Sequence, residues 1–134
     1  MNGPCEVIVA TASDVDVACR SAAALAAKYH FSQRSGAELV LIVSELAHNL
    51  LRHAGQGRLL FERQFEHHGQ SLVVTAEDNG PGIVDVEKAL EDGSSSDGGL
   101  GGGLGAVQRL SDNMEIHTDN TGTVITAWKW APWP

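Results

Sequence analysis

With 134 residues, 43% of them hydrophobic, the chain is expected to form one domain that buries a real core without staples. Seventeen acidic against nine basic residues give a formal net charge of −8, leaving no patch suited to neutralising a phosphate backbone and arguing against general nucleic-acid binding. Cys5 and Cys19 form neither a CxxC pair nor a disulfide framework, and the start MNGPCEVIVA has no basic leader or long apolar run, so the expected location is the cytoplasm.

CEVIVA is short and β-rich and reads as a strand; SDVDVACRSAAALAAKYH follows as an alanine-rich helix capped by Ser13 or Asp14. SGAELVLIVSELAHNLLRHAG sets Leu39, Val43, Leu46 and Leu50 at helical spacing and stops at Gly55. GRLLFERQFEHHGQSLVVTAEDNG reads as a hairpin about HHGQ, with Leu60, Glu62, Gln64 and Glu66 on one parity and Phe61 and Phe65 on the other. A turn-rich region from Asn79 to Gly105 leads into a short helix, LGAVQRLSDN. MEIHTDNTGTVITAWKW then forms a final hairpin turning at Asn120 to Gly122. No repeat, linker or charge block divides residues 1–134. Strands and helices fall in neighbouring runs, which favours a two-layer α+β domain, a mixed sheet with helices on one face, over a doubly wound parallel sheet.

Nine of the 15 glycines lie between Gly80 and Gly105, and six occupy the eight positions from Gly98 to Gly105. A P-loop is excluded because no lysine falls between Ala89 and Gln108, and the dinucleotide offsets i, i+2, i+5 miss at every start from Gly98 to Gly105. Two readings stand: backbone N–H groups converging on a phosphate ahead of a helix that starts near Gly103, or a flexible surface loop. Glu45 and Asn49, at i and i+4, either share one target or form a solvated helix face. In EDNGPGI, Glu77 to Ile83, a strand ends in Asp78 before a Gly-Pro-Gly turn, which is either a binding element or a simple strand-ending turn.

Taken in order, SELAHNLLRHAG, EDNGPGI and GGLGGGLGAVQRL resemble the N, G1 and G2 boxes of the GHKL ATPase superfamily, whose members share the Bergerat nucleotide-binding fold. With EDGSSS ahead of the glycines and GTVITAWKW at the close, the whole chain is similar to the RsbT-type switch serine kinases of bacterial stress signalling, relatives of the anti-sigma-factor kinases.

The resemblance implies that Asn49 holds the Mg²⁺ bridging the phosphates of ATP and that Glu45 is the general base for an attacking serine. It implies that Asp78 accepts a hydrogen bond from the adenine amino group, that Gly80 and Gly82 let the backbone pass close to the base, and that Thr123 is a second adenine contact. The segment from Ile83 to Gly98 would be the nucleotide lid, with Gly99, Gly101, Gly103, Leu104 and Gly105 shaping the phosphate loop. Some relatives place an arginine in the lid; here it holds only Lys88, so charge neutralisation falls on Mg²⁺ and backbone amides, and Arg109 reads first as a solvated helix charge. His48 and His53 lie near the site, His67 and His68 in a turn, and their spacing makes no metal set. Trp128, Trp130 and Trp133 are expected to cover the sheet or an exposed edge.

The chain leaves no room for a dimerisation or transducer domain, so the acceptor is expected on another molecule. By resemblance it is a serine on a STAS-domain antagonist, with a phosphatase or cyclase as a further partner. Two other classes remain: a non-catalytic, nucleotide-gated anti-sigma factor, which the retained Glu45 argues against, and a scaffold that has lost ATP, which Asp78 and the glycines argue against.

Overall fold

The computed structural model describes residues 5–91 and 103–134. Its elements are β1 (Cys5–Val9), α1 (Ala12–Lys28), α2 (Gln33–Ala54), β2 (Gly57–Phe65), β3 (Gly69–Asp78), α3 (Val86–Ala89), α4 (Gly103–Leu110), β4 (Asn113–Asp119) and β5 (Gly122–Pro132). The two-layer α+β expectation holds, with all elements in the anticipated order and α3 added inside the turn-rich region.

The cap of α1 lies two residues before Ser13 and three before Asp14. Thr11 is the N-cap: its hydroxyl accepts the Asp14 amide, while Asp14 Oδ2 accepts the Thr11 amide at 3.0 Å, a reciprocal capping box. Asp14 is therefore the third helical residue and not the cap. α2 begins behind Ser32, whose Oγ accepts the Ser35 amide at 3.0 Å, and ends at Gly55.

The sheet order is β1-β2-β3-β5-β4, and every neighbouring pair is antiparallel. The sheet is thus antiparallel and not mixed. The crossover after β3 carries the chain past its neighbour to the far edge as β4, parallel to β3 in direction, and β5 then folds back into the gap between them. A parallel pair never forms because the last hairpin fills the place where it would lie.

One face of the sheet is buried by the helices. α2 presents Leu39, Ile42, Val43, Leu46, Ala47 and Leu50, none more than 1% exposed, to the alternate residues Leu59 and Phe61 of β2, Val74 and Ala76 of β3, and Ile125 and Ala127 of β5. α1 lies along α2 through Val15, Ala18, Ala22 and Ala26, and α4 packs on α2 from the other side. Phe65 shares the parity of Phe61 yet is 67% exposed, because β2 runs out beyond the helix layer; there it stacks on Trp133 with ring centroids 5.9 Å apart. Trp128 is half-buried on the open face and its indole N–H reaches Gln64 Oε1 at 3.3 Å, while Trp130 and Trp133 stay partly exposed. Among the described residues no helix is long and apolar enough to cross a membrane.

Lys129, on the helix side of β5, ties three elements together. Its ammonium, buried beneath α2, donates to the Leu110 carbonyl at the end of α4 at 2.7 Å and pairs with Glu38 of α2 at 2.8 Å. The Lys129 hydrogen bond, helped by Arg34, holds the Glu38 carboxyl below its ordinary range. A depressed folded value means the contribution is present above the unfolded value, about 4.3, and is lost as pH falls through the folded value. Glu38→Gln should therefore unfold at lower urea than wild type at pH 7, with the gap closing below about pH 4. Urea titrations at pH 7 and pH 3 check this, and an equal gap at both values would refute the pairing.

Candidate active site

Glu45 and Asn49 sit on the inner side of α2, 2% and 4% exposed, so the solvated-face reading fails. One helical turn apart, their Cβ atoms stand roughly 6 Å from each other. Glu45 Oε1 receives no hydrogen bond from a described residue. Burying a carboxylate and a carboxamide beside an apolar stripe is expensive. Beside them His48 is half-buried. Its Nδ1 lies 2.8 Å from the Ser44 carbonyl, which can only accept, so Nδ1 carries the proton. His53 is exposed near the end of α2, and His67 and His68 meet edge to face in the β2–β3 turn. No three His, Cys, Asp or Glu side chains among the described residues gather as a metal set.

The second part of the site is the end of β3. Asp78, half-buried, faces Thr123 of β5 in register, and Thr123 is 4% exposed. Asp78 Oδ1 accepts the Gly80 amide at 2.9 Å, closing an Asx-type turn. The glycines of this turn make close approaches within the protein itself. A Cβ at Gly80 would lie 2.9 Å from the Ala54 Cβ and 3.1 Å from the His53 carbonyl, so only hydrogen lets the turn seat on the end of α2. Gly82, at φ +86°, lies so close to Asp119 that a Cβ would collide with its carbonyl oxygen. The turn after Asp78 is thereby clamped between α2 and the tip of the β4–β5 hairpin.

That clamp is completed by a residue the sequence reading missed. Thr118 Oγ1 accepts the Ile83 amide at 2.8 Å and lies 2.8 Å from Thr123 Oγ1. The signal was present: Thr118 and Thr123 flank a two-residue turn symmetrically, and such positions pair across a hairpin. A shallow cleft beside this pair is lined by Asp78, Asn79, Thr118, Asp119, Thr121 and Thr123, among others. It does not include Glu45 or Asn49.

The third part is α4. Gly103, Leu104 and Gly105 are buried in its first turn against α2. Gly99 and Gly101, and the lid beyond Glu91, lie outside the described residues. The start of the segment expected as a lid forms the single turn α3, capped by Asp85, whose Oδ1 accepts the Lys88 amide at 3.1 Å; Lys88 itself is exposed. Arg109 is exposed on α4, as expected of a helix-surface charge.

Three comparisons bear on this arrangement. The profile of the histidine kinase-like ATPase domain matches residues 8–129. The serine/threonine-protein kinase RsbT of Bacillus subtilis (strain 168) is 37% identical over 131 residues, covering 97% of this chain and 98% of that protein. The structure of the SiaB–SiaC complex from Pseudomonas aeruginosa superposes with a TM-score of 0.59 at 8% identity, over 94% of this chain and 89% of that chain, a likeness of fold. With the profile spanning most of the chain and the relative matched almost end to end, the chain belongs to the histidine kinase-like ATPase family, in the serine/threonine-protein kinase branch that includes RsbT.

Proposed function

We propose that this protein is an ATP- and Mg²⁺-dependent serine kinase that phosphorylates a STAS-domain antagonist in a cytoplasmic partner-switching pathway, and then engages a second partner such as a phosphatase or cyclase. The observation that carries the reading is the burial of Glu45 and Asn49 together on the inner side of α2, in a chain matched end to end by a serine/threonine-protein kinase.

The donor set fits Mg²⁺. Asn49 offers one hard amide oxygen, and this ion takes few protein ligands and keeps several waters and phosphate oxygens. When bound, Mg·ATP would supply the transferable phosphoryl group and the cation that neutralises it. In this reading the Glu45 carboxylate takes the proton of the partner's serine hydroxyl while that oxygen bonds to the γ-phosphorus and the bond to the β-phosphate oxygen of ADP breaks. Asp78 Oδ1 is engaged by Gly80, so Oδ2 is the oxygen assigned to the adenine amino group. α4, eight residues long from Gly103, brings the positive end of its dipole towards the phosphates.

Asp78→Asn should raise the Kd for ATP about tenfold or more, because an acceptor-only carboxylate becomes an amide that can present a donor. GTP should bind poorly to the wild type, its exocyclic oxygen being an acceptor at that edge. Isothermal titration with both nucleotides checks this, and a variant within twofold of wild type would remove Asp78 from base recognition.

Glu45→Ala should keep ATP binding and lose phosphotransfer by roughly 100-fold or more, whereas Asn49→Ala should lose the Mg²⁺ dependence of binding as well. Alanine is the better helix former, so α2 should stay folded in both. The test is transfer of labelled γ-phosphate to a purified STAS-domain protein. Nucleotide binding by the wild type without transfer would point instead to a nucleotide-gated sequestering factor, and an active Glu45→Ala would remove Glu45 as the base.

A further inference from the structure

We infer that Thr118 is a positioning residue: its hydroxyl fixes which way Thr123 presents its own proton and ties the turn after Asp78 to the base-recognition end of the sheet. The inference rests on the nucleotide reading above and adds to it a residue that none of the three sequence boxes contains.

The Ile83 amide can only donate, so Thr118 Oγ1 is the acceptor of the 2.8 Å contact. Thr118 has one proton of its own and lies 2.8 Å from Thr123 Oγ1. If Thr123 donated to Thr118, two donors would converge on Thr118 Oγ1, no head-to-tail chain would form, and the proton left over would be that of Thr118. If Thr118 donates to Thr123, Thr118 accepts once and donates once, the chain Ile83 N–H to Thr118 O–H to Thr123 O–H runs head to tail with each bond polarising the next, and the proton left over is that of Thr123, which lines the cleft beside Asp78. The Thr123 proton is then directed onward, at the strand position that faces Asp78 in register.

Two chemical consequences follow from that polarity. Thr123 acts as a donor, suited to a ring nitrogen of a purine or to a water that bridges to one, while Asp78 acts as an acceptor beside it. Donor next to acceptor is the complement of an amino group adjacent to a ring nitrogen, which an adenine edge carries and a guanine edge at the oxygen-bearing carbon does not. The same chain also holds the backbone at Ile83, where the turn leaves the clamp made by Gly80 on α2 and Gly82 on Asp119. Thr118 is thus the point at which base recognition and the first residue of the lid segment share one hydrogen-bond chain.

The test compares Thr118→Val, which keeps the shape and deletes the hydroxyl, with Thr118→Ser, which keeps the hydroxyl and deletes a methyl. Three readouts are taken on the full chain: amide exchange at Ile83 without nucleotide, the Kd for ATP and for GTP, and kcat for phosphotransfer at saturating ATP. The valine variant should exchange its Ile83 amide several-fold faster, bind ATP about three- to tenfold more weakly, narrow the preference for ATP over GTP, and keep kcat near wild type. The serine variant should restore Ile83 protection and ATP affinity. Wild-type exchange and affinity in the valine variant would overturn the inference. A serine variant as impaired as the valine one would also overturn it, by showing that the methyl and not the hydroxyl matters. Failure of the wild type itself to bind ATP would instead sink the nucleotide reading. The hydroxyl chain then stands or falls on Ile83 exchange alone, which needs no nucleotide.

Discussion

The structure is arranged around one costly placement: a carboxylate and a carboxamide set into the inner side of the helix that also carries the core. Ile42, Val43, Leu46 and Leu50 are sealed against the sheet, and Glu45 and Asn49 interrupt that surface at almost the same depth. Taking an ionised group out of water costs several kcal/mol unless the surroundings compensate. Leucines at these two positions would give a better core and no polar pair. α2 is held by several elements, with α1, α4 and the sheet all packed against it. The 22-residue length of α2 follows from the same demand, since it must supply both an apolar stripe and a polar pair.

Close backbone approach is the second device, and it explains glycines that a ligand alone would not require. Gly80 lets the turn after β3 rest on the last residues of α2, and Gly82 lets it rest on the hairpin tip. Each contact excludes a side chain on steric grounds before any nucleotide is considered. The effect is to bring Asp78, which ends β3, and Thr123, which opens β5, to one place, and to hold them there through Thr118 and Ile83. A ligand pocket built this way is set by packing between three segments far apart in sequence, so its geometry depends on the fold more than on any one loop.

Much of this was legible in the sequence, and the parts that were not share a physical reason. The apolar spacing of α2 and the two hairpins are local patterns and could be read from residue order alone. Glu45, Asn49 and Asp78 stand out in the sequence because their chemistry falls in a recognisable order along the chain, and burial removes the solvated-face reading of the first two. The cap of α1 was misplaced because Asp14 attracts attention as an acidic residue at a helix start, whereas it acts by reaching back to Thr11. The mixed sheet was wrong because the destination of a crossover is a long-range choice that local pattern does not encode. Phe65 shows the same limit: its parity matches Phe61, but parity does not say where the covering layer ends. Lys129 and Thr118 were missed because their roles exist only once β5 is placed between β3 and β4.

That placement of β5 also bears on how an acidic protein can hold an anion. At a formal charge of −8 the long-range field opposes a nucleotide, so attraction has to be local. The described cations do not gather for the purpose. Arg58 is spent on the open sheet face between Glu6 and Glu77, Lys129 is spent under α2 on Glu38, and Lys88 and Arg109 lie on exposed helical surface. Arg58 and Lys129 are therefore committed to architecture. In the proposed reading, phosphate would be met by positive potential that carries no net charge, namely backbone N–H groups and the start of α4, together with a cation arriving with the nucleotide. Lys129 fixes the far end of α4 through the Leu110 carbonyl, and so anchors to β5 the helix that begins at Gly103.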